Sequence, residues 1–195
     1  MPDGRRVPFL RYYRSLTAAY GPQGWWPARS RFEVIVGAIL TQGVSWKNVE
    51  RAIAALRGAG LLKPVTMGRA SLPELARLIR PAGYYNQKAR KLQAFLRFLR
   101  ARHGGSLTRF LRQPEEPLRD QLLGIRGIGP ETADSILLYA AGRPSFVVDA
   151  YTLRILARHG HLAGNETYDE VQSLLETNLP RDASLYNEYH ALLVR

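Results

Sequence analysis

Cysteine is missing from all 195 residues, which excludes a disulfide framework, a thiolate-ligated zinc site, an iron–sulfur cluster and a thiol nucleophile. Lysine is scarce, standing only at Lys47, Lys63, Lys88 and Lys91. No run approaches the roughly 20 apolar residues that span a bilayer. The start, Met1–Arg6, is polar with no apolar stretch behind it, so no signal peptide is expected. A soluble, cytoplasmic protein is expected, nucleoid-associated in a bacterium or archaeon. Internal repeats, low-complexity tracts and Ser/Gly linkers are also missing, and the alternating pattern of a half-buried strand hardly occurs.

What is present is positive charge. Lys and Arg number 28 against 16 Asp and Glu, a net charge of +12, and arginine carries almost all of it. Its planar fork suits phosphate, so a polyanionic partner, nucleic acid first, is expected. Arginine-rich codon usage would give the same composition. The length suits one domain, or two lobes around a cleft, burying about 70% of the unfolded surface.

Apolar residues recur at helical spacing almost throughout, which predicts an all-α fold of about ten short helices. The first runs from Phe9 and closes at Gly21-Pro22; Phe32–Leu40 reads as a buried helix, and Ser45–Leu56 resumes the period after Gly43. Ser71-x-x-Glu74 and Thr167-x-x-Glu170 have the form of capping boxes. A longer helix is predicted from about Asn86 to Arg102, with Leu92, Phe95, Leu96 and Leu99 on one face. Shorter ones are predicted near Leu107–Leu111 and Pro117–Leu123.

The segment Leu122–Ala133 carries the first chemistry. A helix ends at Gly124, a tight turn holds Gly127 and Gly129, and a new helix opens with Pro130 in its first turn. Glycines there bring backbone close to a ligand, and N–H groups at a helix start can hold a phosphate without reading bases. Gly-x-Gly alone equally marks an ordinary helix–turn–helix junction. Further on, Asp149 lies just ahead of a helix at Tyr151–Arg158, where the dipole favours an ionised carboxylate. Taken alone it reads as an N-cap.

Together the two segments are more specific. Leu-x-Gly-Ile-x-Gly-Ile-Gly-Pro-Glu-Thr-Ala, followed by Val148-Asp149-x-x-x-x-Arg154, resembles the helix–hairpin–helix DNA glycosylases of the endonuclease III superfamily. The likeness extends to Phe32–Gln42, similar to that family's early buried helix and intercalating glutamine, and to Gly83–Ala89, similar to its Gly-x-Tyr-Asn-x-Lys-Ala element. The resemblance implies a two-lobed α fold with a DNA-binding cleft, a flipped nucleotide and cleavage of the N-glycosidic bond. It assigns Asp149 as the catalytic carboxylate. Gly124, Arg126, Gly127, Gly129 and Thr132 fall to the DNA-gripping hairpin, Gln42 to filling the vacated stack, and Lys88 to DNA contact. A central lobe over residues 28–138 and a second over 1–27 plus 139–195 are expected.

Two departures from the family sharpen the expectation. Members that also cut the backbone carry a nucleophilic lysine where Glu131 stands here, and a carboxylate cannot form a Schiff base with an abasic sugar. A monofunctional enzyme without AP-lyase activity is expected, Lys88 and Lys91 reading instead as phosphate contacts or solvated charges. The cysteine-rich loop that binds a [4Fe–4S] centre in many relatives has no counterpart, so no cluster is expected. A cation at the hairpin is possible in principle but is not predicted.

All three tryptophans, Trp25, Trp26 and Trp46, flank the Phe32–Gln42 helix. Each could be a core anchor. As a group, with Pro27 and Glu131, they form a candidate base pocket, because indole faces stack on a flipped base and attract a cationic one. An N3- or N7-methylated purine is positively charged and already labile. The Trp-Trp-Pro loop and Leu-Thr-Gln-Gly-Val-Ser-Trp look like the 3-methyladenine glycosylase branch. A glycosylase for mismatched or oxidised bases is the alternative within the class; outside it stand a non-catalytic helix–hairpin–helix module and an RNA-binding helical protein. His159 and His161 flank Gly160 at a helix end and read as a cap, not as metal ligands; His103 and His190 have no assignment. The partner expected is double-stranded DNA with a damaged base, met by a monomer.

Overall fold

The apolar run behind Ser30 becomes the innermost helix of its unit, α2 (Arg31–Leu40), in which every residue from Phe32 to Leu40 is buried. A helix apolar on all sides can only lie inside a core. Ser30 opens it by accepting the Glu33 N–H at 3.2 Å, and the buried Glu33 carboxylate meets Arg57 of α3 (Trp46–Gly58) at 2.6 Å. The computed structural model describes residues 8–195; the reading of Met1–Arg6 as free of a signal peptide lies outside them. Among the described residues there are twelve α-helices and no strand, and no helix is long and apolar enough to cross a membrane.

The chain divides into two units, Ala28–Ala141 and Met1–Pro27 with Gly142–Arg195. The first holds α2 and α3, then α4 (Pro64–Arg69), α5 (Leu72–Leu78), a 3₁₀ turn at Arg80–Ala82, α6 (Tyr85–His103), α7 (Leu107–Leu111), α8 (Glu115–Leu123) and α9 (Pro130–Ser135). The nineteen-residue α6 packs on α5, α2 and α7, with Phe95 against Phe110 edge to face at 5.9 Å. Helix α9 widens after six residues into a π turn, Ile136–Ala140, that packs on α2. Between α8 and α9, Arg119 holds the fully buried Asp134 with both arms of its fork, at 2.9 and 3.1 Å.

The second unit holds α1 (Phe9–Tyr20), α10 (Ala150–Arg158), α11 (Tyr168–Asn178) and α12 (Ala183–Val194), with α12 packed on α1 and α10. Phe146 stands edge-on to Tyr186 and Tyr189 at 5.3 and 5.8 Å. The pair His159 and His161 closes α10 against α1: the Tyr12 hydroxyl lies 3.0 Å from His161 Nε2, and its ring is 5.2 Å from that of His159. Burial, then the neighbouring His159, lowers the His161 pKa.

Three expectations need correction. Thr167 and Glu170 make a full reciprocal capping box, but at Ser71 only half forms: its hydroxyl accepts the Glu74 N–H at 3.2 Å, without the return bond. Helix α8 begins at Glu115, not Pro117. Most consequentially, Lys88 is neither a solvated charge nor placed to touch DNA. It is 2% exposed, and its ammonium donates to the carbonyls of Leu40, at 2.8 Å, and Ala82, at 2.6 Å. The Leu40 carbonyl closes α2 and lacks a helical partner, so Lys88 ties the end of α2 to the start of α6. Burial, then Lys91, lowers its pKa to about 8.

Candidate functional site

In the Ala28–Ala141 unit, α8 ends at Gly124, and a short turn leads through Gly129 to Pro130 at the head of α9. Ile125 and Ile128 anchor the turn in the core, while Arg126, Gly127 and Gly129 face outward. Gly127 has φ +94°, and a Cβ there would come within 2.6 Å of the Lys91 side chain. Any larger residue would be strained and would clash. The N–H groups of Gly127 and Gly129 donate to no acceptor among the described residues. The turn thus presents unsatisfied donors to an anion. Gly124 is different, being right-handed in backbone with room for ordinary Cβ contacts.

Gln42, just past α2, is bound to this turn. Its amide nitrogen donates to Thr132 Oγ1 at 2.9 Å and to the Gly127 carbonyl at 3.2 Å, while its amide oxygen accepts from Lys91. The structure therefore brings Gln42, Gly127 and Thr132 together. It adds Lys91, whose ammonium donates to Gln42 and whose stem lies against Gly127. Glu131 is exposed in the first turn of α9. Trp46, half-buried at the head of α3, donates its indole N–H to Glu50 at 3.0 Å.

In the other unit, Asp149 is the N-cap of α10. One carboxylate oxygen accepts the Thr152 N–H at 2.8 Å and the Thr152 hydroxyl at 3.0 Å; the other lies 3.6 Å from His190 Nε2 of α12. The Asp149 side chain is 14% exposed and that of His190 9%. Burial alone would raise the Asp149 pKa, but contact with His190 and then the Thr152 bonds more than offset it and hold the carboxyl below its ordinary value. The carboxylate is therefore ionised at neutral pH, with one oxygen engaged by its own helix. His190 had no assignment from sequence, because 41 positions separate it from Asp149 and no spacing rule links a cap to a residue on a later helix.

Trp25 and Trp26, in the same unit as Asp149, are half-buried with ring centroids 5.6 Å apart, tilted by 49°. Neither is a fully buried core anchor. Glu188 of α12 accepts the backbone N–H groups of Gln23 and of Gly24, the latter at 3.3 Å, and so fixes the loop leading into the tryptophans. This support was not visible in the sequence. Pro27 is exposed. Among the described residues no group of three or more His, Asp or Glu side chains could hold a metal ion. The thiolates of an iron–sulfur cluster have no counterpart in a chain without cysteine, so that cofactor does not fit these residues.

Residues 36–181 match the HhH-GPD superfamily of base excision DNA repair proteins. The chain belongs to that superfamily and is a DNA glycosylase of base excision repair, with DNA as its partner. A provisionally named DNA repair glycosylase of Methanocaldococcus jannaschii is 49% identical over 197 residues, covering 100% of this chain and 89% of that one. Endonuclease III of Thermotoga maritima is 28% identical over 151 residues, 77% of this chain and 66% of the relative. Among solved structures, the 3-methyladenine DNA glycosylase of H. pylori bound to 1,N6-ethenoadenine superposes with a TM-score of 0.85 at 28% identity, covering 96% and 94% of the two chains. A non-covalent endonuclease III–DNA complex shares the fold, with a TM-score of 0.80 at 23% identity over 95% and 82%.

Proposed function

We propose that the protein is a monofunctional glycosylase that hydrolyses the N-glycosidic bond of alkylated purines, 3-methyladenine-like, with Asp149 as its catalytic carboxylate. The observation that carries this reading is the environment of Asp149: a mostly buried carboxylate, ionised and oriented by Thr152 and His190, has no role in binding a polyanion. It has a role in stabilising positive charge that develops on a sugar. As the C1′–N bond breaks, the bonding pair leaves with the base. A cationic methylated purine departs neutral and needs no proton donor. The oxocarbenium ion left behind is stabilised by Asp149 and captured by water, whose proton passes to the carboxylate or to solvent.

Glu131 in place of a lysine supports the absence of a lyase step, since no amine stands at that point of the hairpin. The outward N–H groups of Gly127 and Gly129 suit a backbone phosphate, with Arg126 beside them. The indoles of Trp25 and Trp26 in one unit suit a stacked, cationic base, and Trp46 in the other offers the same chemistry in its own unit. If Gln42 fills a vacated stack, insertion into the duplex exchanges its bonds to Thr132, the Gly127 carbonyl and Lys91 for contacts with DNA. Similarity to the 3-methyladenine glycosylase of H. pylori favours the same substrate class. The test is base release from duplexes carrying 3-methyladenine, 7-methylguanine, thymine glycol, uracil or a mismatch. Release from the methylated purines alone is expected; preferential release of thymine glycol, uracil or a mismatched base would overturn the substrate assignment.

A further inference from the structure

The longest helix, α6, carries Lys88, Arg90, Lys91, Arg97, Arg100 and Arg102 and no acidic residue in nineteen positions. Lys88 is buried and bonded to backbone carbonyls, and Lys91, partly exposed, donates to Gln42. Arg90, Arg97 and Arg100 are exposed and make no ion pair or side-chain hydrogen bond among the described residues, unlike Arg57 and Arg119 in the same unit. A solvated helix face ordinarily interleaves both signs, and like charges one turn apart, as at Arg97 and Arg100, destabilise an isolated helix. Two concave stretches run along this face. One is lined by Arg90, Arg97 and the hairpin residues Arg126 and Gly127; the other by Arg69, Arg97 and Arg100. Arg97 lines both, so the basic groove continues from the hairpin turn along α6.

We propose that Arg90, Arg97 and Arg100 form a second phosphate-binding track, taking one strand of duplex DNA outward from the hairpin. The proposal rests on the DNA reading above and adds a site to it. Ten residues of helix span about 15 Å, the axial length of about four phosphates on one strand at about 3.4 Å each. The unpaired guanidiniums are then the other half of ion pairs whose acids are phosphates. The track carries no base-reading geometry and acts on undamaged flanking duplex.

The experiment is the salt dependence of binding to an undamaged duplex of about 25 base pairs, for the intact protein, Arg97→Gln and the triple variant Arg90→Gln/Arg97→Gln/Arg100→Gln. Each lost phosphate contact lowers the log–log salt slope by about 0.9. The single variant is therefore expected to lose about one unit and the triple two to three. Arginine-to-lysine replacement at the three positions keeps most of the slope. An unchanged slope in the triple variant overturns the track, as does an equal loss in Arg11→Gln/Arg158→Gln, which would show that net charge alone matters. If the intact protein fails to bind duplex even at low salt, the DNA reading falls and the track with it, an outcome distinct from an unchanged slope.

Discussion

Asp149→Asn is expected to lower base release from methylated DNA by about a thousandfold or more while leaving affinity for the duplex within a few fold. Asparagine is isosteric and still caps α10 by accepting from Thr152, so the helix start survives and only the charge is lost. Single-turnover kinetics alongside a binding titration separate the two effects; retained activity would remove Asp149 from the chemistry. The pH dependence follows from its environment. A carboxyl held below its ordinary value stays ionised to lower pH than a free one, so the acid limb of activity in the intact protein is expected below the ordinary carboxylate range, and any stability Asp149 contributes is lost as pH falls through its lowered pKa. His190→Phe removes a contact that holds the carboxyl down and leaves the burial that raises it. The acid limb of its profile is expected to move toward neutral pH, and His190→Gln, which retains a polar partner, to restore part of the difference.

Arg119→Met is expected to destabilise the fold by about 3–5 kcal/mol, because it leaves the fully buried Asp134 carboxylate without its guanidinium. That is a large share of the roughly 5–15 kcal/mol that holds a domain together. The double variant Arg119→Met/Asp134→Leu is expected to recover most of it, since replacing both charges with apolar groups removes the burial penalty together with the attraction. Urea unfolding reads both, with the midpoint shifting at unchanged slope. A cost below about 1 kcal/mol for Arg119→Met would mean that the pair does not clamp α8 to α9. This clamp joins the two helices whose junction is the hairpin, so its loss is also expected to weaken DNA binding.

The helices were legible in the sequence because their punctuation is local. Gly21-Pro22, Ser30, Pro130 and Asp149 each bound an element where glycine, proline and capping rules place a boundary. The all-α class followed from helical periodicity for the same reason. The burial of Lys88 departs from the expectation although the helical period holds the signal: it stands four residues before Leu92, on the stripe that continues through Phe95 and Leu99 to His103, all buried. A charge on an apolar stripe is a buried charge with a partner to find, here the end carbonyl of α2. Nothing local pairs His190 with Asp149, Glu188 with the loop before Trp25, or Lys91 with Gln42. Each joins residues 41 to 165 positions apart, across elements whose packing no single-sequence pattern encodes. The expected roles of the site residues rest on motif resemblance, whereas their supports lie in the packing.

The central claim is a carboxylate-based hydrolysis with no lyase step. Its most direct test is one reaction on an end-labelled duplex carrying a single 3-methyladenine, with free base and strand integrity measured together and a parallel sample treated with borohydride. The prediction is release of free 3-methyladenine with the strand intact until alkali is added, and no covalent protein–DNA product. Strand cleavage in step with base release, with a borohydride-trapped complex, would contradict it.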